Sequence, residues 1–173
     1  MSATSTRGDS FDPGVVADEI AATLPSLALA PIRLAVVAGS NPVALSRVLG
    51  ALERPPARRR VRLGEAVACS LSEVDPPMRR IEVHAALERA LEDTTEVALL
   101  DRIEALFLPD LSLRVLDALR ALGRTRTLVV AWPLPSRDAC QLLAAERVLL
   151  YATAGHPEHV RAPVGDLPVW CVG

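Results

Sequence analysis

The sequence predicts an α/β protein: a three-layer, open and mostly parallel sheet with helices on both faces. Three observations carry this. Apolar runs alternate along the chain with segments of helical spacing, the order expected of strands joined by helices. Several runs, "IRLAVVA" (32–38), "EVALLD" (96–101) and "TRTLVVAWP" (125–133), are apolar throughout, as strands covered on both faces must be. Half of the 173 residues are hydrophobic while only Phe11, Phe107, Trp132, Tyr151 and Trp170 are aromatic, so the core is built from Leu, Val, Ala and Ile.

The elements follow in order. Residues 1–12 are small and polar and read as a frayed tail, which leaves residues 13–173 as a single domain. "PGVVADEIAATLPSLA" reads as an amphipathic helix, with Pro13 near its start and Pro25 ending it. After the strand 32–38, "PVALSRVLGALE" (42–53) has helical spacing, with Val43, Leu45, Val48, Leu49 and Leu52 on or near one face. Leu45 is therefore expected in the core. "RPPARRR" (54–60) breaks the pattern and reads as a loop carrying a basic cluster, Arg58, Arg59, Arg60 and Arg62. "RVRLGEAVACSL" mixes a short strand with a helix. "PMRRIEVHAALERALEDT" reads as a helix with Ile81, Leu87 and Leu91 inward. The strand 96–101 ends in Asp101, and "DLSLRVLDALRALG" reads as a helix stopped by Gly123. "SRDACQLL" is a short helix, and 147–153 and 167–173 are further strands around "AGHPEHVRAPVGD".

Composition excludes several classes. The formal net charge of −2 is too near zero for a general nucleic-acid binder. No apolar run is long enough to span a membrane, and the N-terminus carries no signal-peptide hydrophobic region. Cys69, Cys140 and Cys171 have neither disulfide-framework nor zinc spacing, and read as reduced thiols in the cytoplasm. His156, Glu158 and His159 cluster in "GHPEH", but Pro157 opposes a helix there and no third ligand is evident. The segment therefore reads as a loop rather than a metal site. His84 reads as a surface or interface residue, and Trp132 as core or strand-edge packing rather than ligand stacking.

"VVAGSNPVALSRVLG" (36–50) carries the candidate chemistry. A strand meets a glycine, crosses a turn and enters a helix, the setting in which a P-loop holds phosphate. The register fits G-x-x-x-x-G-K-[ST] with Gly39 first and Ser46 last, but Ala44 replaces the second glycine and Leu45 the lysine. No lysine elsewhere can substitute, since all 19 basic residues are arginine. Arg47, one helical step past Ser46, points about 100° away. "EVALLD" has the form of a Walker B strand, whose aspartate would hold magnesium. Arg102 follows it, and Glu104 comes two places later. These residues predict a P-loop-like fold of the additional-strand class with a vestigial nucleotide site at Gly39, Ala44, Leu45, Ser46, Asp101 and Glu104. No catalytic residue is assigned, ATP and magnesium are not expected as cofactors, and the chain is not expected to be an enzyme.

From "LLDRIEALFLPDL" through "ALRALGRTRTLVVAWP" to "LLYATAGHPEH", the chain resembles the small P-loop protein of BREX phage-defence systems, the BrxF family. The correspondence runs from about residue 32 to the C-terminus. In that family a Walker A loop precedes an LLDxIExLF segment, an arginine-rich turn into VVAW, and a YAxPGHPEY motif. The resemblance implies that Gly39 and Ser46 match Walker A, Asp101 matches Walker B and Glu104 the family glutamate. It also implies that Arg124 and Arg126 match the arginine-rich turn, and Tyr151, His156, Pro157 and Glu158 the terminal motif. At Ala44 and Leu45 the chain departs from the family. The implied function is a non-catalytic subunit of an anti-phage assembly, with a large ATPase or DNA methyltransferase, or a second copy, as partner. Arg124, Arg126, His156 and Glu158 are the expected interface, at the carboxyl edge of the sheet. Two alternatives stand beside it: a nucleotide switch completed by a partner's basic residue, and a nucleic-acid contact through Arg58, Arg59, Arg60 and Arg62.

Overall fold

The computed structural model describes residues 11–151 and 160–172. Six helices are described: α1 (Pro13–Leu27), α2 (Pro42–Leu52), α3 (Leu63–Ser70), α4 (Pro76–Ala90), α5 (Val115–Leu122) and α6 (Asp138–Glu146). The strands are β1 (Leu34–Gly39), β2 (Arg58–Arg62), β3 (Val97–Asp101), β4 (Thr127–Pro133), β5 (Val148–Tyr151), β6 (Val160–Pro163) and β7 (Val169–Val172). Two 3-10 turns, Glu104–Phe107 and Pro109–Leu111, follow β3.

Five strands form one sheet in the order β2-β3-β4-β1-β7, and every pairing in it is parallel. β5 and β6 pair antiparallel as a separate hairpin. β1, β3 and most of β4 are buried on both faces, as their unbroken apolar runs require. Ala35, Val37, Leu99 and Val129 meet α1 and α2 on one face. Val36, Ala38, Leu100 and Val130 meet α3, α4, α5 and α6 on the other. The three-layer α/β architecture read from the sequence is therefore present. No described helix is long and apolar enough to cross a membrane.

Several local expectations are corrected. The tail prediction falls on residues 1–10, outside the described residues, but Phe11 already packs against the α1–α2 core and the Asp12 side chain caps α1 at Gly14 N–H, 2.8 Å away. Pro25 lies inside α1, which runs on to Leu27. Ile81 and Val43 are both 59% exposed, whereas Leu87 and Leu91 are buried as their spacing predicts. The "RRRVR" segment is a strand, not a loop. It lies at the edge of the sheet, where only one side must be apolar, and Val61 supplies that side against the core. The outer rim of β2 is closed rather than open: Arg54 and Arg58 exchange backbone hydrogen bonds, and Arg60 N–H donates to the Glu53 carboxylate at 3.4 Å.

Trp132 is fully buried at the carboxyl end of β4, and its indole N–H donates to the carbonyl of Leu150 at 3.0 Å, joining the hairpin to the sheet. Phe107 meets Trp132 edge-on at 5.1 Å and stacks on Tyr151 at 3.6 Å. The reading of all three cysteines as reduced thiols is corrected: Cys140 in α6 is disulfide-bonded to Cys171 in β7, with Cα atoms 6.0 Å apart, a pairing across 31 residues that spacing does not signal. Cys69 is free and exposed.

Candidate functional site

The turn after β1 is short. β1 ends at Gly39 and α2 begins at Pro42, so only Ser40 and Asn41 lie between them. A phosphate cradle needs free backbone N–H groups at the start of the helix. Here Pro42 has none. The side-chain oxygen of Asn41 accepts from Val43 N–H at 3.0 Å and from Ala44 N–H at 3.3 Å. Leu45 N–H bonds the Asn41 carbonyl at 3.1 Å. The first turn is thus capped by the protein's own amide, the ordinary role of an asparagine at this position.

Gly39 has a packing reason for being glycine. A Cβ built there would stand 2.5 Å from the Val172 carbonyl oxygen of β7, a distance no real methyl group tolerates. Ala44 and Leu45 are 5% and 3% exposed, with Leu45 in the α1–α2 core, as the helical spacing predicts. A lysine at that position would have to run into the core to keep the backbone of α2.

Ser46 and Asp101 do come together, and a third residue joins them. The Ser46 hydroxyl donates to Asp101 Oδ2 at 3.0 Å. Arg60 reaches forward from β2 and donates through Nε to the same oxygen at 2.9 Å. Arg60 Nη2 also contacts both Asp101 Oδ2 and Ser46 Oγ. The other oxygen, Asp101 Oδ1, accepts from Arg102 N–H at 2.9 Å. Arg102 holds a left-handed backbone, φ 53°, and its carbonyl accepts from Gly64 N–H at 2.9 Å. Asp101 is 4% exposed and Arg60's side chain 25%, so this is a mostly buried, multiply bonded ion pair.

These residues do not fit a magnesium–nucleotide complex. The carboxylate and hydroxyl that would hold the metal are bonded to a guanidinium, the lysine position is core, and the helix N-terminus is capped. What the constellation does is hold three elements, α2, β2 and β3, at one point. Arg60 is the residue that sequence reasoning misplaced, among the nucleic-acid candidates. Its signal was available: in a strand "RRRVR", Arg60 falls opposite Val61's face and can reach the end of a neighbouring strand.

The other candidates are dispersed. Arg59 lies 3.8 Å from Asp93 and Arg62 3.5 Å from Glu65, both as exposed pairs, so the expected basic patch is largely self-neutralised. Arg58 has no ion pair among the described residues. Arg124 and Arg126 precede β4 and so sit at the amino edge of the sheet, opposite the edge that carries Asp101. The expectation that they share an edge with Asp101 and Glu104 is corrected, because in a parallel sheet residues before a strand and residues after one lie at opposite ends. Arg126 donates to the Leu91 carbonyl at 2.9 Å and lies 3.7 Å from Glu88. His156, Glu158 and the rest of "GHPEH" lie outside the described residues. Among the described residues no group of three His, Cys, Asp or Glu is placed to hold a metal.

Glu104 instead bears on Tyr151. Burial raises the Tyr151 phenol above its ordinary 10.0, and the Glu104 carboxylate adds to the rise. The folded chain therefore keeps this proton when the unfolded chain loses it. The contribution to stability is complete below about pH 10 and is lost as pH rises through the folded-state value. Tyr151 is the one tyrosine in the chain, so tyrosinate absorbance reports it alone. The absorbance is expected to rise at higher pH in the native protein than in urea; coincident curves would show a solvated phenol.

No protein-family model, curated protein or solved structure matches this chain.

Proposed function

We propose that this chain is a non-catalytic subunit of a BREX-like anti-phage assembly, built on a P-loop-type fold and acting by binding other proteins. The observation that carries the non-catalytic part is the Arg60 guanidinium on Asp101 and Ser46. A carboxylate already paired with an internal cation has to give up that partner before it can hold a metal. The P-loop ancestry is supported by placement. One strand, β4, stands between the strand ending in Gly39 and the strand ending in Asp101, as an additional-strand arrangement requires. The defence setting rests on the resemblance of "LLDRIEALF", "TLVVAWP" and "LLYATAGHPEH" to the BREX family. A partner-completed nucleotide switch would first have to displace Arg60.

Two measurements test this together. Calorimetric titration with magnesium and ATP is expected to give only heats of dilution. Affinity purification from the native host is expected to bring down a large ATPase or a DNA methyltransferase. Magnesium-dependent ATP hydrolysis that disappears in Asp101→Asn would overturn the non-catalytic reading, and a chain recovered without partners would overturn the assembly reading.

A further inference from the structure

We propose that a notch at the amino edge of the sheet is a receptor for a small oxyanion, gripped between Arg33 and Arg126. The notch has a volume of about 260 Å³ and lies where the chain enters β3 and β4. That is below the roughly 300 Å³ at which clefts begin to take drug-sized ligands, so the occupant is small.

Both arginines are braced, and Arg33 is braced without being neutralised. Arg33 Nη2 donates to the carbonyl of Arg124 at 3.2 Å, and Arg33 has no carboxylate within ion-pair distance among the described residues. Arg126 Nη1 donates to the Leu91 carbonyl at 2.9 Å, and its contact with the half-exposed Glu88 is a long 3.7 Å. Backbone carbonyls thus fix both guanidinium planes and leave other N–H groups for a ligand. A planar fork of N–H donors matches the paired oxygens of a carboxylate or phosphate.

The threonines refine the picture. Thr94, Thr95 and Thr125 commit their hydroxyl protons to the carbonyls of Leu91, Pro56 and Leu122. Thr127 also lines the notch, is 6% exposed, and makes no such bond among the described residues. Its hydroxyl is the one positioned to donate to a bound oxygen. The lining carries two guanidiniums and one carboxylate, the exposed Glu96, and Glu88 stands 3.7 Å from Arg126, so Arg33, with no carboxylate partner among the described residues, is the cation left open to a ligand. A singly charged oxyanion, a carboxylate or a monoanionic phosphate, matches that one open cation. The notch lies at the opposite end of the strands from Asp101, so the proposal does not depend on whether the chain is a defence subunit or an enzyme.

The test is calorimetric titration of the whole chain at low ionic strength with sodium phosphate and, separately, with sodium acetate. Saturable heat with at least one of them is expected, weakening as sodium chloride is added; which anion binds tells a phosphate ligand from a carboxylate one. Arg33→Gln is expected to lower affinity about tenfold, and Arg126→Gln by as much. Arg126 also braces the end of α4, so its variant serves only if circular dichroism shows the native fold. Arg33 makes one exposed bond, and its variant decides the matter alone. Heats of dilution with both anions, or an Arg33→Gln chain that binds as the wild type does, would overturn the proposal.

Discussion

Replacing Arg60 with alanine is expected to cost about 3–5 kcal/mol of folding stability, the loss typical when one partner of a buried ion pair is removed and the other is left without compensation. Asp101 would be that stranded partner, 4% exposed and keeping only the Ser46 hydroxyl and the Arg102 N–H. Asp101→Asn is expected to fall in the same direction by less, since an amide oxygen still accepts from Arg60. Changing both residues to apolar ones, Arg60→Met with Asp101→Leu, is expected to recover most of the loss, because no unpaired charge remains. Urea unfolding of Arg60→Met, Asp101→Leu and the double variant beside the wild type closes the cycle and gives the coupling directly. A loss under about 1 kcal/mol for Arg60→Ala would mean that water screens the pair as it screens surface bridges, and the three-element clamp would have to be abandoned.

Restoring the P-loop signature, Ala44→Gly with Leu45→Lys, is expected to destabilise the chain and to create no ATPase. Leu45 is 3% exposed in the α1–α2 core. Losing its packing and introducing an ammonium there costs about 2–4 kcal/mol, with glycine inside α2 adding to it. For a chain of this size that is a fall in melting temperature of about 4–16 °C. The phosphate site would still lack donors, since Pro42 has no N–H and Asn41 caps Val43 and Ala44. An unchanged melting temperature would show that position 45 is not core. Magnesium-dependent turnover in this variant would show that the Asn41 cap and Arg60 yield to nucleotide.

The sequence made some of this legible and hid the rest for identifiable reasons. β1, β3 and β4 were readable because strands buried on both faces admit little but Val, Leu, Ala and Ile. The helix from Pro42 was readable because Leu45, Val48, Leu49 and Leu52 repeat at helical spacing. β2 was not, because an edge strand needs an apolar residue on one face only, and four of its five residues are arginines. Asp101 and Ser46 were paired correctly as neighbours at the carboxyl edge. The cation that completes them was missed because it arrives from a strand taken for a loop. The Arg124 and Arg126 error is of another kind. Both residues precede an apolar strand, and their place at the amino edge follows from that order alone.

The position of β7 has a consequence for how the chain is made. β1 lies early in the sequence, yet its neighbour on one side, β7, is the last described strand to be synthesised. On a ribosome, β2, β3, β4 and β1 are available to pair while one flank of β1 still has no strand beside it. During that interval Val36 N–H lacks the Pro168 carbonyl, and Gly39 lacks the Val172 backbone it is shaped to meet. A chain in which β7 has not yet paired therefore presents an apolar open edge along β1, the kind of surface that chaperones cover and that neighbouring nascent chains can join. Pairing of β7 with β1 closes that edge.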